Sequence, residues 1–160
     1  MIDSGILAVG LDVDGTLTDG SFIWNSENSI YKRFCYLDSS GISLAMSIGI
    51  RFVLISGEDS PIVDRYAAKL GLTDYYRGCR HKDEALRSFA QKYELDLKQI
   101  AYMGDDVMDL PAIRIAGLKA APLSAHPAVL READFISDRA AGYGAVRCLI
   151  DHLWGETLNR

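Results

Sequence analysis

With 160 residues, 49% of them apolar, and a formal net charge of -5, the chain has the size and make-up of one domain with one substantial core. That acidic balance offers no basic face to nucleic acid or anionic lipid, and no apolar run approaches the roughly 20 residues that cross a bilayer. The opening stretch MIDSGILAVG lacks the basic start and small-residue cleavage site of an export signal, so a cytoplasmic location is expected.

Short apolar runs alternate with amphipathic stretches along the chain. The first predicted strand, ILAVGL (6–11), runs straight into the acidic loop DVDGTLTDG. SFIWNSENSIYKRFCY follows, two β-rich runs around a polar NSEN, which predicts a β-hairpin projecting within 17–36. Phe22, Trp24, Ile30 and Phe34 load it with more apolar surface than a two-stranded ribbon leaves in water, so a cover is expected, from its own domain or from copies of the chain. A helix over 41–48 leads to the strand IRFVLI (50–55) and then to SGEDS, where Ser60 stands as the cap of a helix over 61–70 that opens on proline. The strand DYYR (74–77) and a helix over 82–93 come next. The strand QIAYM (99–103) ends in GDDVMD, ahead of a helix over 110–115. The strand LKAA (118–121), a turn of helix over 127–131, the strand ADFI (133–136) and a helix over 143–153 complete the series. This alternation predicts an α/β fold, a Rossmann-like layer sandwich with a parallel sheet and helices on both faces. There is no repeat and no linker, so a single domain over 1–160 is expected.

In an open parallel sheet, ligands bind beyond the carboxyl ends of the strands, and three polar clusters fall there: Asp12 and Asp14, Ser56 and Gly57, and Asp105, Asp106 and Asp109. Lys82 opens the helix before the last of these strands and can reach the same rim. A like-charged pair at about 4 Å costs on the order of 4 kcal/mol at an effective dielectric near 20, so five converging carboxylates call for a divalent cation. All candidate ligands are oxygens, which points to a hard ion, Mg2+, and not to zinc. Free N–H groups around residues 13–15, the Ser56 hydroxyl and a lysine suit a phosphate beside it. A carboxylate nucleophile splits phosphate ester hydrolysis into two easier steps, and Asp14 is spaced to protonate the leaving oxygen and later to take a proton from water. A signalling receiver also gathers acids and a lysine at strand ends, but its lysine lies near the last strand, whereas Lys82 precedes the GDD cluster.

In order, DVDGTLTDG, ISGE, Lys82 and GDDVMDLP resemble the four motifs of the haloacid dehalogenase-like phosphohydrolases. The resemblance implies Asp12 as the nucleophile that becomes an aspartyl phosphate, Asp14 as general acid and base, and Ser56 and Lys82 on the transferring phosphoryl group. It implies Mg2+ on the Asp12 carboxylate, the Asp14 backbone carbonyl and Asp105, with Asp106 and Asp109 behind them. Most relatives insert a cap domain, but the predicted elements use up the intervals from Asp12 to Ser56 and from Ser56 to Lys82, so no cap is expected.

FCYLDSSGISLA, GLKAAPLSAHP and GYGAVR resemble the capless branch that dephosphorylates 3-deoxy-2-ulosonic sugar acids in lipopolysaccharide or sialic acid biosynthesis. That branch comprises the 3-deoxy-manno-octulosonate 8-phosphate phosphatases and the nononate 9-phosphate enzymes, both homotetramers, which here implies assembly through residues 17–36. Thr16, Gly57, Glu58 and Lys69 are implied as substrate-binding. Glu58 and Lys69 suit the nononate type, while Tyr66 stands where a basic residue is expected and Ala141 replaces the first glycine of a Gly-Gly-x-Gly. The alternative is a non-catalytic or dual-role oligomerisation partner of a sialic acid cytidylyltransferase. Arg65, Arg77 and Arg80 are candidates for the substrate carboxylate. Cys35, Cys79 and Cys148 lack ligand spacing and read as reduced thiols.

Overall fold

A computed structural model describes residues 5–158. Six parallel strands form the sheet: β1 (Ala8–Leu11), β4 (Arg51–Ile55), β5 (Tyr75–Tyr76), β6 (Ile100–Met103), β7 (Leu118–Ala121) and β8 (Phe135–Ile136). Their spatial order is β5-β4-β1-β6-β7-β8, so the first strand lies in the middle and the chain winds outward in both directions from it. The remaining two strands, β2 (Ile23–Trp24) and β3 (Ile30–Tyr31), pair antiparallel as a separate hairpin.

Side chains of a strand alternate between faces, and here the alternation divides the core in two. Val9 and Leu11 of β1, Phe52 and Leu54 of β4, and Ala101 and Met103 of β6 join one cluster, with residues of α1 (Tyr36–Ser47), α2 (Pro61–Leu70) and α6 (Ala145–Leu158). Ala8, Val53, Ile55, Ile100 and Tyr102 join the other, with α3 (Lys82–Lys92), α4 (Leu110–Ile115) and α5 (Pro127–Glu132). The two-faced α/β sandwich read from the sequence is therefore the fold. Residues between Asp12 and Ser56 form the hairpin, α1 and β4, and those between Ser56 and Lys82 form α2 and β5, with no cap among the described residues.

Local chemistry fixes the ends. The Ser60 hydroxyl accepts the Ile62 N–H at 3.3 Å, Pro61 opens α2, and Gly71 closes it in the left-handed conformation. His126 Nδ1 accepts the Ala128 N–H at the start of α5, a capping role. Helix α1 begins at Tyr36, five residues before the expected start at Gly41. The reason is tertiary: a Cβ on Gly41 would lie 2.7 Å from Arg147 Cδ, so glycine lets α1 approach α6, and packing overrides its poor helix propensity. Asp38, fully buried in the first turn of α1, accepts the Arg147 N–H at 2.8 Å and so caps α6.

The hairpin is shorter than its β-rich runs suggested. Asn25 Oδ1 accepts the N–H groups of Glu27 and Ser29, both at 2.9 Å, and closes the turn. Phe22, Ile23, Trp24 and Tyr31 are all more than half exposed. Phe34 parts from this group: its ring stacks on Tyr66 at 3.9 Å and packs against the core, while the Tyr66 hydroxyl meets Ser39 Oγ at 3.0 Å. Tyr66 is thus a core residue that holds the hairpin's exit.

Candidate active site

Because β1 lies between β4 and β6, their carboxyl ends are adjacent. Asp12 and Ser56 follow β1 and β4 directly and Asp105 follows β6 after one glycine, so all three share one rim. Helix α3 starts at the same rim and Lys82 is its first residue. Lys82 is buried, and its Nζ donates to Asp12 Oδ1 at 2.5 Å and to Asp109 Oδ1 at 2.7 Å. Asp109 is saturated. Its Oδ1 also accepts from the Tyr102 hydroxyl at 2.9 Å, and its Oδ2 accepts the N–H groups of Asp105 and Asp106, each at 3.1 Å. It therefore braces Lys82 and the Asp105 loop.

Carboxylate oxygens of Asp12, Asp105 and Asp109 lie within 4.8 Å of one another. Three carboxylates against the one ammonium of Lys82 leave two negative charges uncompensated. The titration behaviour follows. Burial, then the charges of Asp109 and Asp105, raise the Asp12 carboxyl well above its ordinary value against the pull of Lys82. Burial and Asp109 push Asp105 up to about 6. Burial alone would lower the Lys82 ammonium, but the charges of Asp12 and Asp109 win and raise it.

A hard cation fits this donor set. Asp12 Oδ2 is buried without a hydrogen-bond partner beside the Asp105 carboxylate, and an orphaned acceptor there is a costly arrangement that a metal would relieve. Gly15 is part of the same fit. Its φ of +87° is a left-handed conformation, and a Cβ would meet Asp105 Oδ2 at 2.1 Å, so only glycine lets the first loop pass against Asp105.

Asp14 stands outside this triad with partners of its own. Both of its carboxylate oxygens accept from Lys32 Nζ at 2.8 Å, and Oδ1 also accepts from the Thr18 hydroxyl at 3.2 Å. The Lys32 ammonium, whose side chain is 1% exposed, pairs as well with Glu58. Asp12, Asp14, Phe22, Gly57, Glu58, Arg80, Lys82, Asp105, Asp106, Met108 and Asp109 line a cleft of about 550 Å³.

Not all expected residues gather here. Lys69 lies exposed in the last turn of α2, the end that leads away from this rim to Gly71 and Leu72, which line a separate hollow of about 290 Å³ with Ile50 and Arg51 at the start of β4. Asp106 is exposed and caps the short turn Val107–Asp109 through the Val107 N–H. Thus three of the five carboxylates form the cluster. Thr16 is buried in the first loop with an unpartnered hydroxyl. Ser56 is buried and its hydroxyl closes the turn to Glu58 at 3.2 Å. The Gly15 N–H, expected to be free for phosphate, points to Thr18 Oγ1 at 3.4 Å. Arg77 pairs with Asp59 at 3.0 Å and Asp64 at 2.7 Å, Arg65 is exposed on α2 outside the cleft lining, and Arg80 is the cleft arginine.

Lys32, Thr18 and Tyr102 escaped the sequence reading. Thr18 carried a signal, a second hydroxyl four residues after Asp14. Tyr102 sat inside an apolar strand, and Lys32 reaches Asp14 only because the hairpin folds back.

A family model described as haloacid dehalogenase-like hydrolase matches residues 79–149. The 3-deoxy-D-manno-octulosonate 8-phosphate phosphatase of Escherichia coli is 35% identical over 143 residues, 89% of this chain and 76% of that protein. Among solved structures, the enzyme of that name from Moraxella catarrhalis, in complex with magnesium ion, phosphate ion and KDO, superimposes with a TM-score of 0.93 at 33% identity, covering 98% of this chain and 90% of the other. The cobalt-bound Haemophilus influenzae enzyme gives 0.91 at 33% identity over 95% and 89%.

Proposed function

Since this chain belongs to the haloacid dehalogenase-like hydrolases, in the branch of the 3-deoxy-D-manno-octulosonate 8-phosphate phosphatases, we propose that it is a Mg2+-dependent phosphatase for the phosphate monoester of a 3-deoxy-2-ulosonic acid. The Asp12, Asp105 and Asp109 cluster braced by Lys82, with Asp14 beside it, carries this reading. Asp12, Asp105 and the backbone carbonyl of Asp14 would hold the ion. It would neutralise the surplus negative charge and polarise a phosphoryl oxygen.

Asp12 attacks phosphorus, the bond from phosphorus to the sugar oxygen breaks, and Asp14 gives that oxygen its proton. Water then attacks the aspartyl phosphate and passes a proton to Asp14, and inorganic phosphate leaves as Asp12 is restored. Lys82 fixes the Asp12 rotamer and adds positive charge where the phosphoryl oxygens gather charge. Ser56 and Thr16 would offer their hydroxyls to those oxygens, by the resemblance of their motifs. Arg80, on the cleft wall, is the cation for the sugar carboxylate.

The substrate is an eight- or nine-carbon ulosonate phosphate, by likeness to relatives named for the octulosonate 8-phosphate and by Glu58, the residue of the nononate type. We read 1–160 as one phosphatase domain, working in the cytoplasm as a homotetramer that covers the exposed aromatics of the 17–36 hairpin. The test is Mg2+-dependent turnover of phosphorylated sugar acids compared by kcat/KM. A preference for ulosonate over hexose phosphates, abolished in Asp12→Asn, is expected. Equal rates would defeat the substrate assignment, and an active Asp12→Asn would defeat the mechanism.

A further inference from the structure

Lys32 occupies a place that neither the motifs nor the metal cluster explains. It follows β3 directly, so it belongs to a hairpin whose apolar side chains face outward, yet its own side chain is 1% exposed. Burying an ammonium is costly unless it is paired. Here it is paired twice: with both oxygens of Asp14 at 2.8 Å and with Glu58, while the Phe22 ring lies 5.0 Å from Nζ. Asp14, Phe22 and Glu58 all line the cleft, so this contact is part of its wall.

Resting on the phosphatase reading, we infer that Lys32 is a positioning residue for Asp14. It grips both oxygens, the Thr18 hydroxyl grips Oδ1 at 3.2 Å, and Glu58 holds the ammonium from the far side. The carboxylate is thereby fixed in one rotamer, and when one oxygen carries the proton that Asp14 gives to the leaving group, Lys32 keeps hold of the other. Without Lys32, Asp14 and Glu58 face each other across the cleft as like charges, and Asp14 swings. Displacement of a catalytic group by about 1 Å costs on the order of 10²-fold in rate. The hairpin therefore contributes to the chemistry and does not serve only as a handle for association.

The prediction is specific to proton transfer. With Mg2+ present, kcat/KM reports the steps through phosphorylation of Asp12. An alkyl phosphate needs Asp14 to protonate its leaving oxygen in those steps, whereas p-nitrophenyl phosphate has a leaving group that departs without help. Lys32→Met is expected to lower kcat/KM about 10- to 100-fold for the alkyl ester and less than about threefold for the aryl ester. In an Asp14→Asn background the same substitution is expected to change neither. Lys32→Ala, which opens the space of the side chain, is expected to regain alkyl phosphate turnover as ethylamine is added. An equal loss on both esters, a full additional loss in Asp14→Asn, or wild-type kinetics in Lys32→Met would overturn the positioning role. Misfolding of Lys32→Met leaves the amine rescue of Lys32→Ala to decide: no rescue overturns it. Turnover surviving in Asp12→Asn would instead sink the phosphatase reading, so the two failures are distinguishable.

Discussion

The Tyr102 hydroxyl donates to Asp109 Oδ1, the oxygen that also receives Lys82 Nζ. A side chain deep in the central sheet thus ends one oxygen away from the ammonium that holds Asp12. Its phenol is raised well above the ordinary value by burial and by the charges of Asp109 and Asp12, so it stays a donor at every working pH. Hydrogen bonds to charged groups contribute about 1.5–3 kcal/mol. Tyr102→Phe is expected to lose about that much stability in urea unfolding, and to lower kcat several-fold while leaving KM nearly unchanged, because the damage reaches Lys82 and not the substrate.

The uncompensated charge around Asp105 makes a prediction about the metal. Mg2+ should raise the melting temperature of the wild type, and a chelator should reverse the rise. Burial and Asp109 hold the Asp105 carboxyl at about 6, so its ionised form strains the metal-free protein near neutrality. Asp105→Asn is therefore expected to melt higher than the wild type without metal and to show no Mg2+ response. A lower melting point in chelator would contradict this.

Asp38 predicts a pH dependence away from the site. Burial, opposed by the N–H groups of Arg147, Gly144 and Val146, raises its carboxyl from 3.8 to about 6. The folded state therefore binds this proton more tightly than the unfolded chain does. The resulting stability is fully present below about pH 4 and lost as pH rises through about 6. Asp38→Asn keeps an oxygen for the cap and cannot ionise, so its stability relative to the wild type should climb across that window, by on the order of 2–3 kcal/mol. Parallel denaturant titrations at pH 4 and pH 7 measure it, and a constant difference would refute the assignment.

The hairpin's aromatics divide into two kinds that mutation separates. Trp24 is 64% exposed, whereas Phe34 is stacked on buried Tyr66. Trp24→Glu is expected to shift sedimentation toward smaller species while subunit stability stays within about 0.5 kcal/mol. Phe34→Ala is expected to cost about 2–4 kcal/mol of stability. If Trp24→Glu sediments as the wild type does, the hairpin is not the assembly surface.

What the sequence made legible was whatever rests on local pattern. The strand order of charge-bearing loops, the Ser60–Pro61 cap and the meeting of Asp12, Lys82 and Asp105 on one rim follow from alternation and from the rule that parallel strands present ligands at their carboxyl ends. What stayed hidden depends on contacts distant in sequence. Helix α1 starts early because Gly41 faces Arg147, and Lys32 meets Asp14 across a hairpin that no periodicity orients. Lys69 lies outside this cleft for the reverse reason, since resemblance assigns a residue to a site without telling which end of its helix that site is on.

Outwardly the ribbon offers Ile23, Trp24 and Tyr31, and inwardly it delivers one ammonium to Asp14. A neighbouring subunit seated on the aromatic side would thereby also set how firmly Asp14 is held. If the tetramer forms through this ribbon as proposed, dilution into lone subunits should slow alkyl ester cleavage before any strand of the sheet loosens, so that turnover becomes a gauge of the molecule's own abundance.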